Sequence, residues 1–408
     1  MTMRTFYARN VDEVQACLRE RCQHRPPLTH DDSGLPLRPV AGRSKSALSI
    51  ATSAAASGSA AATSAAAFDL LDVSAISGVI EYQPDECTFT ARAATTVAEI
   101  EAMLAGRGQY LPFEPPFAAR GATLGGTVAS GLSGPGRFRY GGVRDFVLGV
   151  RFVDGEGRAL RGGGRVVKNA AGFYLQHLLL GSLGTLGVLT EVTCKVFPLP
   201  EARITVVADL GTMAAAIDTL SRLRRSTFEL EAAELIPPAR LLLRLGGSSR
   251  AIAARVQNLS AWLQAGVPNG GAGVNVDVRA IADGDDERQC WHEARELTWA
   301  PPAVSLVKVA TTLGRLADLD RQLAIASPTP VPRRYGAGGD MAWIAWPHEL
   351  ARLDALLMEL KMPGLVVLGD GSDNADGEPL LGPRPDPAFL ARVRATLDPR
   401  GVFGPRYD

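Results

Sequence analysis

Gly121-Ala122-Thr123-Leu124-Gly125-Gly126-Thr127-Val128-Ala129-Ser130-Gly131 opens the stretch, running on to Pro198, whose reading decides the fold. Glycines arrive there in clusters, each beside a strand-like or helix-like segment, and not as one flexible tract. Main chain without Cβ atoms adopts positive φ and lets N–H groups approach an anion closely. The pattern points to backbone built around a phosphate-bearing cofactor.

Working outward, residues 146–153 read as a buried strand, Asp154-Gly155 as a hairpin turn and residues 157–161 as the returning strand, ended by Gly162-Gly163-Gly164. Glycine clusters punctuate loops more often than they bind ligands, so these three glycines are read as a strand-end turn. A helix is predicted over residues 170–180. Residues 186–197 alternate between an apolar β-branched face (Val188, Val192, Val196) and a mixed one (Glu191, Thr193, Lys195), and Pro198 and Pro200 mark a boundary.

Upstream, residues 11–22 have the spacing of an amphipathic helix, with Val11, Val14, Cys17 and Leu18 on one face. The prolines of residues 35–40 keep that segment extended, and it runs into Ala41-Gly42-Arg43-Ser44-Lys45-Ser46, a small-residue turn suited to phosphate oxygens. Residues 51–67 are almost wholly Ala, Ser, Thr and Gly and offer little area to bury, so a mobile insertion is predicted there. Two strands follow, at residues 81–84 and 87–92, and Thr96-Val97-Ala98-Glu99 is a capping box opening a helix that ends near Gly106 and Gly108.

Beyond Pro200 the texture becomes that of a second, α+β domain. It has helices over 213–225 and 250–265, strands near 231–235 and 241–245, a polar glycine-rich turn at 269–273 and aromatic patches at 291–299 and 341–346. At about 150 residues per domain, 408 residues suit two or three domains. With 43 basic and 43 acidic residues and no basic run interleaved with aromatics, nothing recommends a nucleic-acid partner. The five scattered cysteines have no spacing for zinc or an iron–sulfur cluster and fit a reducing cytoplasm. The N-terminus lacks an apolar leader and no stretch approaches about 18 apolar residues, so neither export nor a transmembrane segment is expected.

A GxGxxG fingerprint between strand and helix is not supplied cleanly, which disfavours an NAD-type domain. Gly184-Thr185-Leu186-Gly187-Val188 instead places its N–H groups at the start of a strand.

Three long segments carry a resemblance: Leu111-Pro112-Phe113-Glu114-Pro115-Pro116, residues 121–157 and residues 166–200. They resemble the FAD-binding subunits of bacterial glycolate oxidase (glycolate dehydrogenase), within the vanillyl-alcohol-oxidase, or PCMH-type, FAD-binding flavoproteins. The likeness is dense from about Gly78 to Pro200 and thinner elsewhere. It implies an α+β fold: an FAD-binding domain of two α/β lobes (residues 1–200) and a C-terminal α+β cap (residues 201–408), whose tail, about 385–408, returns to the FAD domain. It implies noncovalent FAD held by Ala41, Gly42, Arg43, Ser44 and Lys45. A second set comprises Pro115, Gly121, Ala122, Thr123, Gly125, Gly126, Gly131 and Ser133, and a third Asp145, Val147, Gly184, Gly187 and Val188. The first turn departs from the family's consecutive glycines at Ala41 and Arg43, and Arg43 is a candidate to add charge to the phosphates. Lys168-Asn169 matches a family motif and reads equally as a solvated lysine and a helix N-cap.

Oxidising a 2-hydroxy acid needs a cation for the carboxylate and a base for the hydroxyl proton. The candidates are Arg295, Arg334, Lys308 and Arg333 for the first and His292 or His348 for the second. Surface arginines and interface aromatics explain the same residues without chemistry, and His177 reads as a packed or exposed helix residue. No histidine flanks residues 368–373, so no metal is expected. The resemblance further implies a cytoplasmic complex, associated with a membrane only through its partners: a larger FAD-containing catalytic subunit and an iron–sulfur subunit. A stand-alone FAD-dependent 2-hydroxy-acid dehydrogenase and a flavin-free structural subunit remain as alternatives.

Overall fold

The computed structural model describes residues 4–24, 35–45, 47–48, 68–164, 174–266, 277–281, 284–369, 379–384 and 386–403. The insertion at 51–67, Ser46, Lys168-Asn169, the turn at 269–273 and residues 370–373 lie outside them.

The first lobe is a three-stranded parallel sheet of β1 (Thr5–Tyr7), β2 (Leu37–Val40) and β3 (Asp69–Asp72), with β3 central. Helix α1 (Val11–His24) buries Val14 and Leu18 against Leu37 and Leu71, the face that its apolar spacing sets.

The second lobe contains β4 (Val79–Gln83), β5 (Thr88–Arg92), α2 (Val97–Ala105), β6 (Gln109–Tyr110), α3 (Leu124–Ser130), α4 (Arg137–Tyr140), β7 (Val147–Val153), β8 (Ala159–Gly163), β9 (Val188–Lys195) and β10 (Phe197–Pro198). Five of its strands form an antiparallel sheet in the order β4-β5-β9-β7-β8. Thr96 caps α2 by accepting from the Glu99 N–H at 3.2 Å, and Val188, Val192 and Val196 are all buried, as their alternation requires.

Three local readings are corrected. The strand ends within the glycine cluster but runs two residues further than read: Gly162 and Gly163 are the last residues of β8, opposite Val150 and Gly149, where a Cβ on Gly149 would fall 2.5 Å from the Gly164 carbonyl and glycine is needed for the strands to approach. The hairpin is closed by residues 154–158 and not by two residues, since buried Asp154 accepts from the Glu156 and Arg158 N–H groups. Within the described part of 170–180 there is only a 3₁₀ turn, Leu175–Leu178.

The C-terminal part is one mixed layer: β11 (Ala202–Asp209), α5 (Met213–Leu223), β12 (Leu230–Ile236), β13 (Arg240–Gly247), α6 (Ile252–Gln264), β14 (Asp277–Ile281), α7 (Asp285–Glu296), β15 (Ser305–Ala310), α8 (Leu316–Ala326), β16 (Arg333–Gly336), β17 (Met341–Trp346), α9 (Leu350–Glu359), β18 (Gly364–Leu368), β19 (Leu380–Leu381) and α10 (Pro387–Leu397). Its strands make a nine-stranded sheet ordered β14-β11-β13-β12-β16-β17-β15-β18-β19. Leu220, Leu259, Leu319 and Leu353 of the helices cover one face over Val307, Ile344 and Trp346. The opposite face sends Leu306, Trp343 and Val367 into the core of the second lobe beside Phe113 and Phe146. After α10, Asp398 accepts from the Val402 and Phe403 N–H groups, and both side chains are buried among Val14, Leu18 and Leu71 of the first lobe.

Candidate functional site

Between the two lobes runs a cleft of roughly 830 Å³, open to solvent, with the turn after β2 on one side and α3 and the start of β9 on the other. Of the residues singled out in the sequence, it brings together Ala41, Gly42, Arg43, Ser44, Lys45, Thr123, Gly125, Gly126, Gly184, Gly187 and Val188. Sequence reasoning missed Ala93, Ser182 and Leu183 on its wall. Leu183, at φ +54, is a non-glycine residue in the left-handed region, a signal that only coordinates display.

The two sides meet backbone to backbone. A Cβ on Gly42 would fall 2.0 Å from the Gly121 carbonyl oxygen, and one on Gly125 would fall 2.9 Å from the Ala93 carbonyl oxygen. Those glycines are therefore required by close approach. Among the described residues, no acceptor takes the main-chain N–H groups of Gly42, Arg43, Ser44 and Lys45. Four successive free donors beside a cleft form a nest for anionic oxygens.

Lys45 adds the charge. Its side chain is buried; among the described residues its Nζ hydrogen-bonds only the Ser44 hydroxyl, at 3.3 Å, and lies 5.8 Å from the Phe117 ring centre. Burial pushes its ammonium down from 10.5 to about 8, with Glu296 pulling the other way. A buried cation lacking a contacting carboxylate is costly unless an anion is present. Arg43 does not share this task in the structure: its guanidinium is 3.0 Å from Asp72, and its φ is +50.

The remaining predicted cofactor residues, Pro115, Gly121, Ala122, Gly131, Ser133, Asp145 and Val147, are not among those lining the cleft. The Pro115 carbonyl accepts from Arg295 at 2.9 Å, and the Ala122 carbonyl accepts from the Val97 N–H at 2.7 Å. Gly131 caps α3 at φ +64. Ser133 Oγ accepts from the Val143 N–H, the Asp145 carboxylate accepts from the Gly142 N–H, and Val147 is buried opposite Cys194.

The proposed catalytic residues are spread over the C-terminal layer. Arg295 is held by Glu101 at 2.7 Å and by the Pro115 carbonyl, while Arg334 stacks over Trp299 and faces Glu234 and Glu293, each at 3.9 Å. His292 is exposed on α7. Arg333 is bound to Asp320 and the Tyr335 hydroxyl, and His348 to the Ser327 hydroxyl. His177 is half-buried and stacked on Tyr174.

Two contacts unnoticed in the sequence tie this layer to the second lobe. The Ala118 and Ala119 N–H groups donate to the buried Glu296 carboxylate at 3.0 and 3.3 Å. Buried Arg244 lies 2.8 Å from Glu114, whose carboxyl would be raised by burial but is held below the usual range by that guanidinium. Among the described residues, no helix is long and apolar enough to cross a membrane.

Residues 4–163 match the family described as FAD binding domain. A 145-residue segment is 48% identical to glycolate oxidase subunit GlcE of Escherichia coli, covering 36% of this chain and 41% of that protein. Glycolate oxidase subunit GlcD of Bacillus subtilis is 38% identical over 99 residues, 24% of this chain and 20% of that one. A D-lactate dehydrogenase of Archaeoglobus fulgidus is 36% identical over 87 residues, covering 21% and 20%. The chain thus spans less than half the length of the curated relatives it matches. Over 99% of its length it follows the fold of an alkyldihydroxyacetonephosphate synthase, with a TM-score of 0.66 at 15% identity and 76% of that chain covered. The free N–H nest, the buried lysine and the close-approach glycines fit the pyrophosphate of FAD.

Proposed function

Taking as premise that residues 4–163 carry an FAD-binding domain of the matched family, we propose that this chain is the FAD-bearing subunit of a complex oxidising glycolate to glyoxylate. The observation that carries the reading is the inter-lobe cleft, where a nest of unpaired N–H groups and a buried lysine await a diphosphate. The segment that resembles a glycolate oxidase subunit supplies the substrate class.

When bound, FAD supplies an acceptor for the two electrons leaving the α-carbon of a 2-hydroxy acid. The chain's own residues orient and enclose it. Residues 42–45 hold the phosphates, and Gly125, Gly126, Gly184 and Gly187 let the main chain approach the dinucleotide without side-chain interference. The nine-stranded layer acts as the cap, closing on the second lobe through Trp343 and Val367 and excluding water from that interface. In this reading the cofactor domain is residues 1–200, the cap residues 201–408, and the larger flavin subunit and an iron–sulfur subunit carry electrons onward in the cytoplasm.

Similarity to a D-lactate dehydrogenase favours a second reading, a stand-alone 2-hydroxy-acid dehydrogenase. The purified chain, reconstituted with FAD and mixed anaerobically with glycolate, separates the two. A persisting flavin spectrum assigns chemistry to the partner, bleaching makes this subunit catalytic by itself, and failure to take up flavin refutes both.

A further inference from the structure

The turn at residues 114–121 of the second lobe is held in place from the cap. Glu114 and Phe117 are non-glycine residues at φ +46 and +68, and Gly121 follows at φ +76. A residue with a side chain stays in that conformation only where its surroundings impose it. Three cap side chains do so. Arg244 lies 2.8 Å from the Glu114 carboxylate, Arg295 donates to the Pro115 carbonyl at 2.9 Å, and Glu296 accepts from the Ala118 and Ala119 N–H groups at 3.0 and 3.3 Å. Phe117 gives no side-chain cap to the 3₁₀ turn Ala118–Arg120 that it opens, so the Glu296 carboxylate caps that turn from across the domain boundary.

The other side of the same turn is the phosphate cradle. The Gly121 carbonyl oxygen stands 2.0 Å from where a Cβ on Gly42 would fall, and the buried Phe117 ring centre is 5.8 Å from Lys45 Nζ. Among the described residues, the charged groups around Lys45 come from three elements. On its own turn Arg43 is paired with Asp72, and in the second lobe exposed Arg120 shares the Phe117 ring at 5.8 Å. From the cap comes Glu296, which favours the charged lysine where burial disfavours it. Glu296 in turn has Arg295 Nε at 3.6 Å, and Arg295 is paired with Glu101. One cap residue thus reaches the cradle twice, through the backbone of the turn and through its charge.

We propose that Glu296, with Arg295 beside it, is a positioning residue for the phosphate cradle: by holding the 114–121 turn it sets the place of Gly42 and the surroundings of Lys45, so that cap docking and diphosphate binding reinforce each other. By linkage the reinforcement is mutual, and a diphosphate in the cradle tightens the cap contact as much as the cap contact tightens the diphosphate. This goes beyond the proposed oxidation of glycolate and needs only that the cleft hold the diphosphate of FAD.

The test combines hydrogen exchange across residues 114–121, with ADP as a diphosphate probe lacking the flavin, and FAD affinity by flavin fluorescence from pH 6.5 to 9.5. Saturating ADP is expected to slow exchange of the Ala118 and Ala119 amides in wild type by roughly fivefold or more. Glu296→Gln keeps the size and one carbonyl acceptor but loses the charge. Its FAD affinity is expected to start falling at a lower pH than the wild-type onset near pH 8, and between the two onsets the ratio of dissociation constants grows by up to about tenfold per pH unit. In a Lys45→Met background the same substitution is expected to leave that ratio constant with pH. A strut acting on stability alone would weaken binding by one factor at every pH and in both backgrounds. Arg295→Met frees the Pro115 carbonyl and leaves Glu296 in place; it is expected to speed exchange across the turn and weaken ADP binding roughly two- to tenfold, and it keeps the test falsifiable should Glu296→Gln misfold. An unshifted onset in Glu296→Gln, or ADP that leaves exchange across residues 114–121 unchanged, overturns the inference. Wild type that binds neither FAD nor ADP overturns the cofactor assignment and this inference together. Both readouts are made without a hydroxy acid, so they stand or fall apart from the proposed glycolate oxidation.

Discussion

Replacing Lys45 with Met has opposite effects on the cofactor and on the protein without it. In the chain without cofactor, the ammonium is buried beside a single hydroxyl, and its depression from 10.5 to about 8 corresponds to about 3 kcal/mol against the charged form. Methionine removes that penalty at similar length, so the cofactor-free variant is expected to unfold at the same or higher temperature than wild type. The cofactor loses a charge-assisted contact to its phosphates, about 1.5–3 kcal/mol, or roughly 10- to 150-fold in Kd.

The pH dependence follows from the same lysine. Because its folded pKa is depressed, the cofactor-free native state holds fewer protons than the unfolded chain between about pH 8 and 10.5, and its stability rises with pH across that window relative to Lys45→Met. Phosphates favour the charged form, so FAD binding takes up a proton above about pH 8 and weakens there by up to tenfold per unit. Below that pH it is flat. Flavin fluorescence titrations from pH 6.5 to 9.5, with thermal melts of the cofactor-free protein, read both effects. Equal FAD affinity in wild type and variant, or a wild-type affinity that is flat through pH 9.5, refutes the assignment of Lys45 to the phosphates.

Gly42→Ala places a Cβ 2.0 Å from the Gly121 carbonyl, a backbone clash that no rotamer relieves; it is expected to destabilise by about 1–3 kcal/mol and to open the cradle, seen as a lower Tm and a lower flavin content after gel filtration. Glu296→Ala leaves the Ala118 and Ala119 N–H groups without their acceptor at the cap contact and is expected to cost about 1–3 kcal/mol in denaturant unfolding, a value near zero speaking against the strut. Arg244→Met strands Glu114 as a buried charge, since Arg244 lies 2.8 Å from it, while Glu231 keeps Arg203 at 2.9 Å; the expected loss is about 3–5 kcal/mol in the same assay.

Much of the lining of the inter-lobe cleft was legible because the required properties are local. A missing Cβ at Gly42, Gly125 or Gly187 is written in the sequence, as are the alternation of Val188, Val192 and Val196 and the apolar spacing of α1. These fixed strands, helices and glycine turns before any contact was known. The readings that fell short were those where a neighbour across the sheet overrides local preference: Gly162 and Gly163 read as a turn but are the last two residues of β8, because Gly149 opposite lets the chains close.

What only the tertiary structure decided is which charges are satisfied. Arg295, Arg334, Lys308 and Arg43 read alike as free cations in the sequence. In the fold, Arg295 is bound to Glu101, Arg334 faces two glutamates and Arg43 turns to Asp72, while Lys45 and Lys308 are left without carboxylates among the described residues. Burial and pairing arise from contacts between residues tens to hundreds of positions apart, and the free energy of a charge depends on those surroundings far more than on its residue type.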